Sequence, residues 1–198
     1  MSRDGEGLAP EDAGRAGLYG LLARLYYAPP DQAVLAEIIN AALFREGDAP
    51  IARAWRDLAE ASRGAYPVLL ENEHTELFVG TGKAEVTPYL LHYTLKHSSD
   101  TPLVHLRARL GEWGIARRQD AAEPEDHIAG LCETLRIAIA VQQRSIEEQR
   151  DFFSTYLRDG GLLFCSAVSA SPKADFYRRV AAFTREFLLL EQAAFDMA

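Results

Sequence analysis

Glu123-Pro124-Glu125-Asp126-His127 stands between two long stretches of helical hydrophobic period, and its reading decides the fold. Proline has no amide hydrogen and a φ already near helical values, so Pro124 predicts the first position of a helix, where backbone amides lack intrahelical partners anyway. Glu125 and Asp126 then fall in the first turn, where the helix dipole favours each carboxylate by ~0.3–1 kcal/mol. The polar run before them makes residues 115–123 a linker, with Glu123, Pro124 and Glu125 as its hinge.

Downstream, Ile128, Leu131, Leu135 and Ile139 share one helix face. Phe152, Phe153, Tyr156 and Leu157 continue the period until Gly160-Gly161, which is expected to break it. Ser171 as cap and Pro172 at the first position predict a last helix. Its apolar seam is Phe176, Val180, Phe183, Phe187 and Leu190, and two heptads of period read as a core-facing helix.

Upstream, Leu18, Leu21, Leu22 and Leu25 line a first helix that Pro29-Pro30 must end. Asp31 caps a second helix carrying Leu35, Ile38 and Ile39. A third begins around Asp48–Pro50, carries Ile51, Trp55 and Leu58, and stops near Gly64. A fourth runs from about Val68 to Phe78. The pattern lapses over 79–102, and long irregular stretches in compact domains are usually functional or mobile. Helicity resumes with Leu103, Leu106, Leu110 and Trp113. The predicted fold is all-α: a bundle of roughly eight to ten helices in two parts, 1–114 and 124–198, sharing one core.

Composition narrows the function. A 198-residue chain with a formal net charge of -8 lacks the basic patch that nucleic acid demands, and suits a basic partner. Cys132 and Cys165 stand far apart in apolar runs, as buried thiols of a reducing cytosol do. The first residues have no apolar core and predict neither a secretion signal nor a transit peptide. No apolar stretch is long enough to span a bilayer.

Gly80-Thr81-Gly82-Lys83 resembles a phosphate loop only superficially. Leu77 stands where the first glycine belongs and Ala84 where a Ser or Thr should follow the lysine. His92, His97 and His105 have no metal-ligand spacing, so no metal or other cofactor is expected. Asp126 and His127 could handle a proton, yet no nucleophile carries a recognisable motif. A binding surface fits better: Leu77, Phe78, Pro88, Tyr89 and Tyr93 lie around the irregular loop, with Glu71, Glu73, Glu76 and Glu85 among them. Apolar groups ringed by carboxylates suit a segment both apolar and basic.

Two motifs in order resemble the TorD/DmsD/NarJ-type redox enzyme maturation chaperones. Glu76-Leu77-Phe78-Val79-Gly80-Thr81-Gly82 with Thr87-Pro88-Tyr89 and Tyr93 is similar to that family's Leu-Phe, glycine pair and proline-aromatic turn. Glu123-Pro124-Glu125-Asp126-His127 is similar to its Glu-Pro-x-Asp-His signature, with Glu133 at the acidic position of the next helix. Phe152-Phe153 and the segment from Phe176-Tyr177 to Glu191 fit its C-terminal layout. The chain departs from the pattern at Leu90-Leu91-His92, where Glu-Ser is usual before the second aromatic, and at Tyr156 and Gly160-Gly161, where a histidine and tryptophan are common.

The resemblance implies a cytoplasmic, non-enzymatic chaperone. Its partner would be the apo form of a molybdenum-cofactor oxidoreductase subunit, bound through a signal peptide, often twin-arginine, until the cofactor is inserted. Carried over, the peptide-binding residues are Leu77, Phe78, Pro88, Tyr89, Glu123, Asp126 and His127, with Asp126 and His127 facing the client. Family members also exchange helical parts, so a swapped homodimer is compatible. The competing readings are a small nucleotide-binding or hydrolytic enzyme using the Gly80–Lys83 loop or His127, and an assembly subunit retained in the mature complex.

Overall fold

A computed structural model describes residues 7–41, 47–80, 84–95, 101–116 and 123–198. The fold is all-α. Helix α1 spans Pro10–Tyr27, α2 Gln32–Asn40, α3 Pro50–Arg63 and α4 Pro67–His74. A π-helical turn, Thr75–Val79, extends α4, and α5 is the short Leu91–Thr94. Then come α6 (Pro102–Glu112), α7 (Ile128–Ala140) and α8 (Ile146–Phe152), a second π-helical turn at Phe153–Leu157, α9 (Arg158–Ala170) and α10 (Phe176–Met197).

Local punctuation operates at several helix ends. Pro10, Pro50, Pro67 and Pro102 each sit in a first helical turn, and the Asp31 side chain accepts the Val34 amide hydrogen at 2.9 Å to cap α2. Helix α1 packs along α7, so the two parts of the chain bury one continuous core. Helix α10 crosses α9 and α3 behind them. Both cysteines are buried thiols.

Two helix starts differ from expectation because tertiary contacts outweigh the local proline signals. Helix α7 begins at Ile128, not Pro124, with His127 as its N-cap. Helix α10 begins at Phe176, not Pro172. The Glu73 carboxylate reaches across from α4 and accepts the amide hydrogens of Asp175, Phe176 and Tyr177 at 2.8, 3.2 and 2.9 Å. Three charge-assisted bonds satisfy the amides a local cap would have covered. Ser171 instead closes a tight turn by accepting from the Lys173 amide. The α10 seam also shifts: Leu190 is 46% exposed, whereas Glu191 is buried.

Gly160-Gly161 does not break a helix; it lies inside α9. A Cβ on Gly160 would stand 2.7 Å from the Leu90 carbonyl oxygen and 2.9 Å from the Leu90 Cβ. The two departures noted in the sequence, at Leu90-Leu91 and at Gly160-Gly161, are therefore packing partners. The bare glycine lets the 84–95 segment sit directly on α9. Gly160→Ala is expected to cost about 1–2 kcal/mol, the overpacking outweighing the gain in helix propensity. A urea unfolding midpoint equal to or above wild type would contradict this contact.

Candidate functional site

The irregular stretch expected at 79–102 is ordered where described, and its partner is the 123–127 segment. The Leu90 amide donates to the Asp126 carbonyl at 3.0 Å and the Ile128 amide to the Pro88 carbonyl at 2.9 Å. Tyr89 and His127 thus form an antiparallel bridge, with their rings edge to face at 5.7 Å. Pro88 presets the extended backbone this pairing needs and is buried. Residues Glu125 to His127 are held in a turn that cannot be the first turn of α7, so Pro124 is displaced from the helix it was expected to start.

Each residue of the pair of motifs has a defined task. The Asp126 carboxylate accepts the Leu91 amide hydrogen at the start of α5, and burial raises its pKa above the ordinary carboxylate value. His127 Nδ1 accepts the Ala129 amide hydrogen at 3.1 Å, which caps α7 and leaves the proton on Nε2. Burial lowers the His127 pKa to about 4, the attraction of Glu123 being too weak to offset it, so the ring is neutral at pH 7. The Tyr89 hydroxyl donates to the Glu123 carboxylate, and burial with that bond raises its pKa to about 12.

Leu77 and Phe78 lie a layer deeper. Leu77 is fully buried, and its carbonyl accepts the Val86 amide hydrogen at 2.9 Å. Phe78 belongs to an aromatic cluster, 5.0 Å from Tyr177 and 5.3 Å from His74 between ring centres. Both side chains support the turn from below rather than reaching solvent. Asp126 and His127, expected to face a client, are 8% and 6% exposed and act mainly inward. A buried imidazole with Nδ1 engaged is also poorly placed as the base of a hydrolase. Of Gly80–Lys83, residues 81–83 lie outside the described residues. Gly80 itself has φ +64°, the left-handed region that glycine tolerates.

A groove of about 540 Å³ opens beside this junction. Ala23 and Tyr27 of α1, Leu110 of α6, Ile115 beyond it and Ile137 of α7 supply apolar walls, and Glu123, Glu125 and Glu133 supply carboxylates. Pro124 and an edge of His127 also reach it. Tyr27 is 59% exposed, a large aromatic face left open at the groove. Each carboxylate has an internal partner: Glu125 holds Arg107 at 3.0 Å, Glu133 holds Arg136 at 2.7 Å and Glu123 holds Tyr89. Arg107 stands in solvent, so its pair is screened and contributes little.

The sequence singled out Pro88, Tyr89, Glu123, Asp126 and His127, and the structure brings them together. It also flagged Glu133. It did not single out Tyr27, Ile115 or Ile137, and it read Leu110 as an ordinary core position of its helix. The one available signal was Tyr26-Tyr27 at the end of α1, two adjacent tyrosines that a helix must point in different directions. Among the described residues no group of side chains is arranged to hold a metal ion, and no helix is long and apolar enough to cross a membrane.

A family model described as nitrate reductase delta subunit matches residues 45–159. A crystal structure described as a candidate redox enzyme maturation protein from Archaeoglobus fulgidus aligns with a TM-score of 0.58. It covers 96% of this chain and 99% of that one at 20% identity. At that identity the likeness establishes the fold. No curated protein matches the chain.

Proposed function

The chain belongs to the nitrate reductase delta subunit family of redox enzyme maturation chaperones, and from that premise we propose that it holds the apo form of a molybdenum-cofactor oxidoreductase subunit through that subunit's N-terminal signal peptide. The peptide is basic then apolar, of the twin-arginine kind, and release follows cofactor insertion in the cytoplasm. The observation that carries this reading is the groove between α1, α6 and α7, with apolar walls and three carboxylates in its lining. Guanidinium groups pair with Glu123, Glu125 and Glu133, bidentately where geometry allows, while Tyr27, Leu110, Ile115 and Ile137 take the apolar part. Pro88, Tyr89, Asp126 and His127 shape the groove edge, and Leu77 and Phe78 hold that edge in register from the core. Catalysis has no part in the role.

Fluorescence anisotropy with a labelled peptide carrying two adjacent arginines and an apolar run tests it. Glu125→Gln with Glu133→Gln removes two charge-assisted pairs at about 1 kcal/mol each, or roughly a tenfold or greater loss of affinity. Tyr27→Ala, which removes an exposed aromatic anchor, is expected to weaken binding about fivefold to tenfold. Affinity equal to wild type in both variants would remove the groove from consideration. Exchange of the part after the linker between two copies is compatible with the same role, because the α1–α7 packing can form between chains as well as within one.

A further inference from the structure

We propose that a second groove, between α3, α4 and the start of α10, receives a basic, apolar segment of a partner protein. It shares no lining residue with the groove at α1, α6 and α7, and its case stands without the reading of that groove. Tyr66, Val68 and Leu69 are 69%, 65% and 60% exposed within four residues, where a closed protein surface would bury or replace them. Pro67 at the first position of α4 fixes this display, because its φ is set before any partner arrives. Tyr66 and Leu69 line a depression of about 540 Å³ whose floor includes the buried Leu70 and Phe176. Exposed apolar groups over a preformed concavity, rimmed by polar residues, are the form an interaction site takes.

Charge selects the occupant. Asp57 and Glu60 of α3, Glu73 of α4 and Asp175 line the groove against one cation, Arg179. Arg179 is already paired with Asp175, Glu60 with Arg63, and both Glu73 oxygens take the amide hydrogens at the start of α10. Asp57, exposed on α3, has no ion-pair partner among the described residues. A second copy of this chain, of net charge -8, would bring acid to acid, and nucleic acid is excluded on the same ground. A segment with Lys or Arg beside aliphatic or aromatic side chains satisfies both the carboxylate rim and the exposed Tyr66 and Leu69.

The test uses the full-length, isotope-labelled chain and a synthetic amphipathic helix of leucine and lysine as probe. Amide shifts are expected at residues 57–70 and 173–179. Asp57→Lys with Leu69→Ser, both at exposed positions, is expected to weaken that set of shifts at least tenfold while the spectrum stays folded. Shifts confined to the α1–α6–α7 groove, an unchanged affinity in the double variant, or self-association through Tyr66 and Leu69 in sedimentation would each overturn the proposal. Loss of peptide binding in the other groove would leave it intact, so the two readings fail separately.

Discussion

Replacing Glu191 with alanine is expected to destabilise the protein by about 3–5 kcal/mol, the cost of stranding a buried charge. Glu191 is 2% exposed on α10. Its Oε1 accepts from Arg15 Nε at 2.8 Å, and its Oε2 accepts from Arg15 Nη2 at 2.9 Å and from the Tyr19 hydroxyl at 2.9 Å. Arg15 further donates to Gln149 of α8 and to Asp12, and stacks on Phe195 at 5.2 Å. One carboxylate thereby joins α1 and α10, with α8 held through the same guanidinium. Deleting it leaves the Tyr19 phenol without this acceptor and the part-buried Arg15 guanidinium with only Asp12 and Gln149 to accept from it. For a chain of this length the melting temperature should fall on the order of 10 °C. Arg15→Met with Glu191→Met should recover most of the loss, because replacing both partners avoids the stranded charge. A single-variant loss below about 1 kcal/mol would mean that this cluster does not tie the helices together.

Acidification from pH 7 to 4 is expected to remove up to about 3 kcal/mol of stability through His127. Burial lowers its folded pKa from 6.5 to about 4, and each tenfold difference in proton affinity between the folded and unfolded chain is worth about 1.36 kcal/mol. In the unfolded chain His127 takes up a proton near pH 6.5, whereas in the fold it does so only near pH 4. Stability is therefore complete above pH 6.5, falls as pH drops through that window and is constant below it. The buried His74, its pKa also lowered by burial, adds a loss of the same sign. Asp126 has the opposite sign, since burial raises its carboxyl pKa and the fold binds that proton more readily. His127→Asn isolates the first contribution, because asparagine keeps a capping oxygen for the Ala129 amide but does not titrate. Urea unfolding at about pH 7 and about pH 4.5 should show a smaller loss in the variant; an equal loss would assign the acid sensitivity elsewhere.

Local signals made much of the fold legible. Helices α1, α2, α3 and α6 have boundaries written by Pro29-Pro30, Asp31, Pro50, Gly64 and Pro102, each acting within a turn of its own position. The buried face of α7 was equally plain from Ile128, Leu131, Leu135 and Ile139. What could not be read is what distant residues decide. Pro124 and Pro172 are sound first-turn residues, yet the pairing of 88–90 with 126–128 and the capping of α10 by Glu73 move both starts downstream. Gly160-Gly161 reads as a break until Leu90 is known to lie against it, and Leu190 reads as core until Glu191 finds Arg15.

The candidate site was legible to a similar degree. Its motif residues could be named because proline, histidine and clustered carboxylates are uncommon in so short a span. Tyr27, Leu110, Ile115 and Ile137 could not, since an apolar residue facing a groove has the same helical period as one facing the core. Depth is equally hidden from the sequence: Leu77, Phe78, Asp126 and His127 are all buried in the structure.

The central claim, that the α1–α6–α7 groove holds the N-terminal segment of an apo oxidoreductase subunit, is tested most directly by a photo-reactive side chain at position 27 in the protein co-expressed with that subunit. The account predicts a cross-link to the first residues of the subunit, lost when those residues are deleted and weakened when Glu125 and Glu133 are both glutamine. A cross-link that persists after the deletion, or a stable complex with no cross-link from position 27, would contradict it.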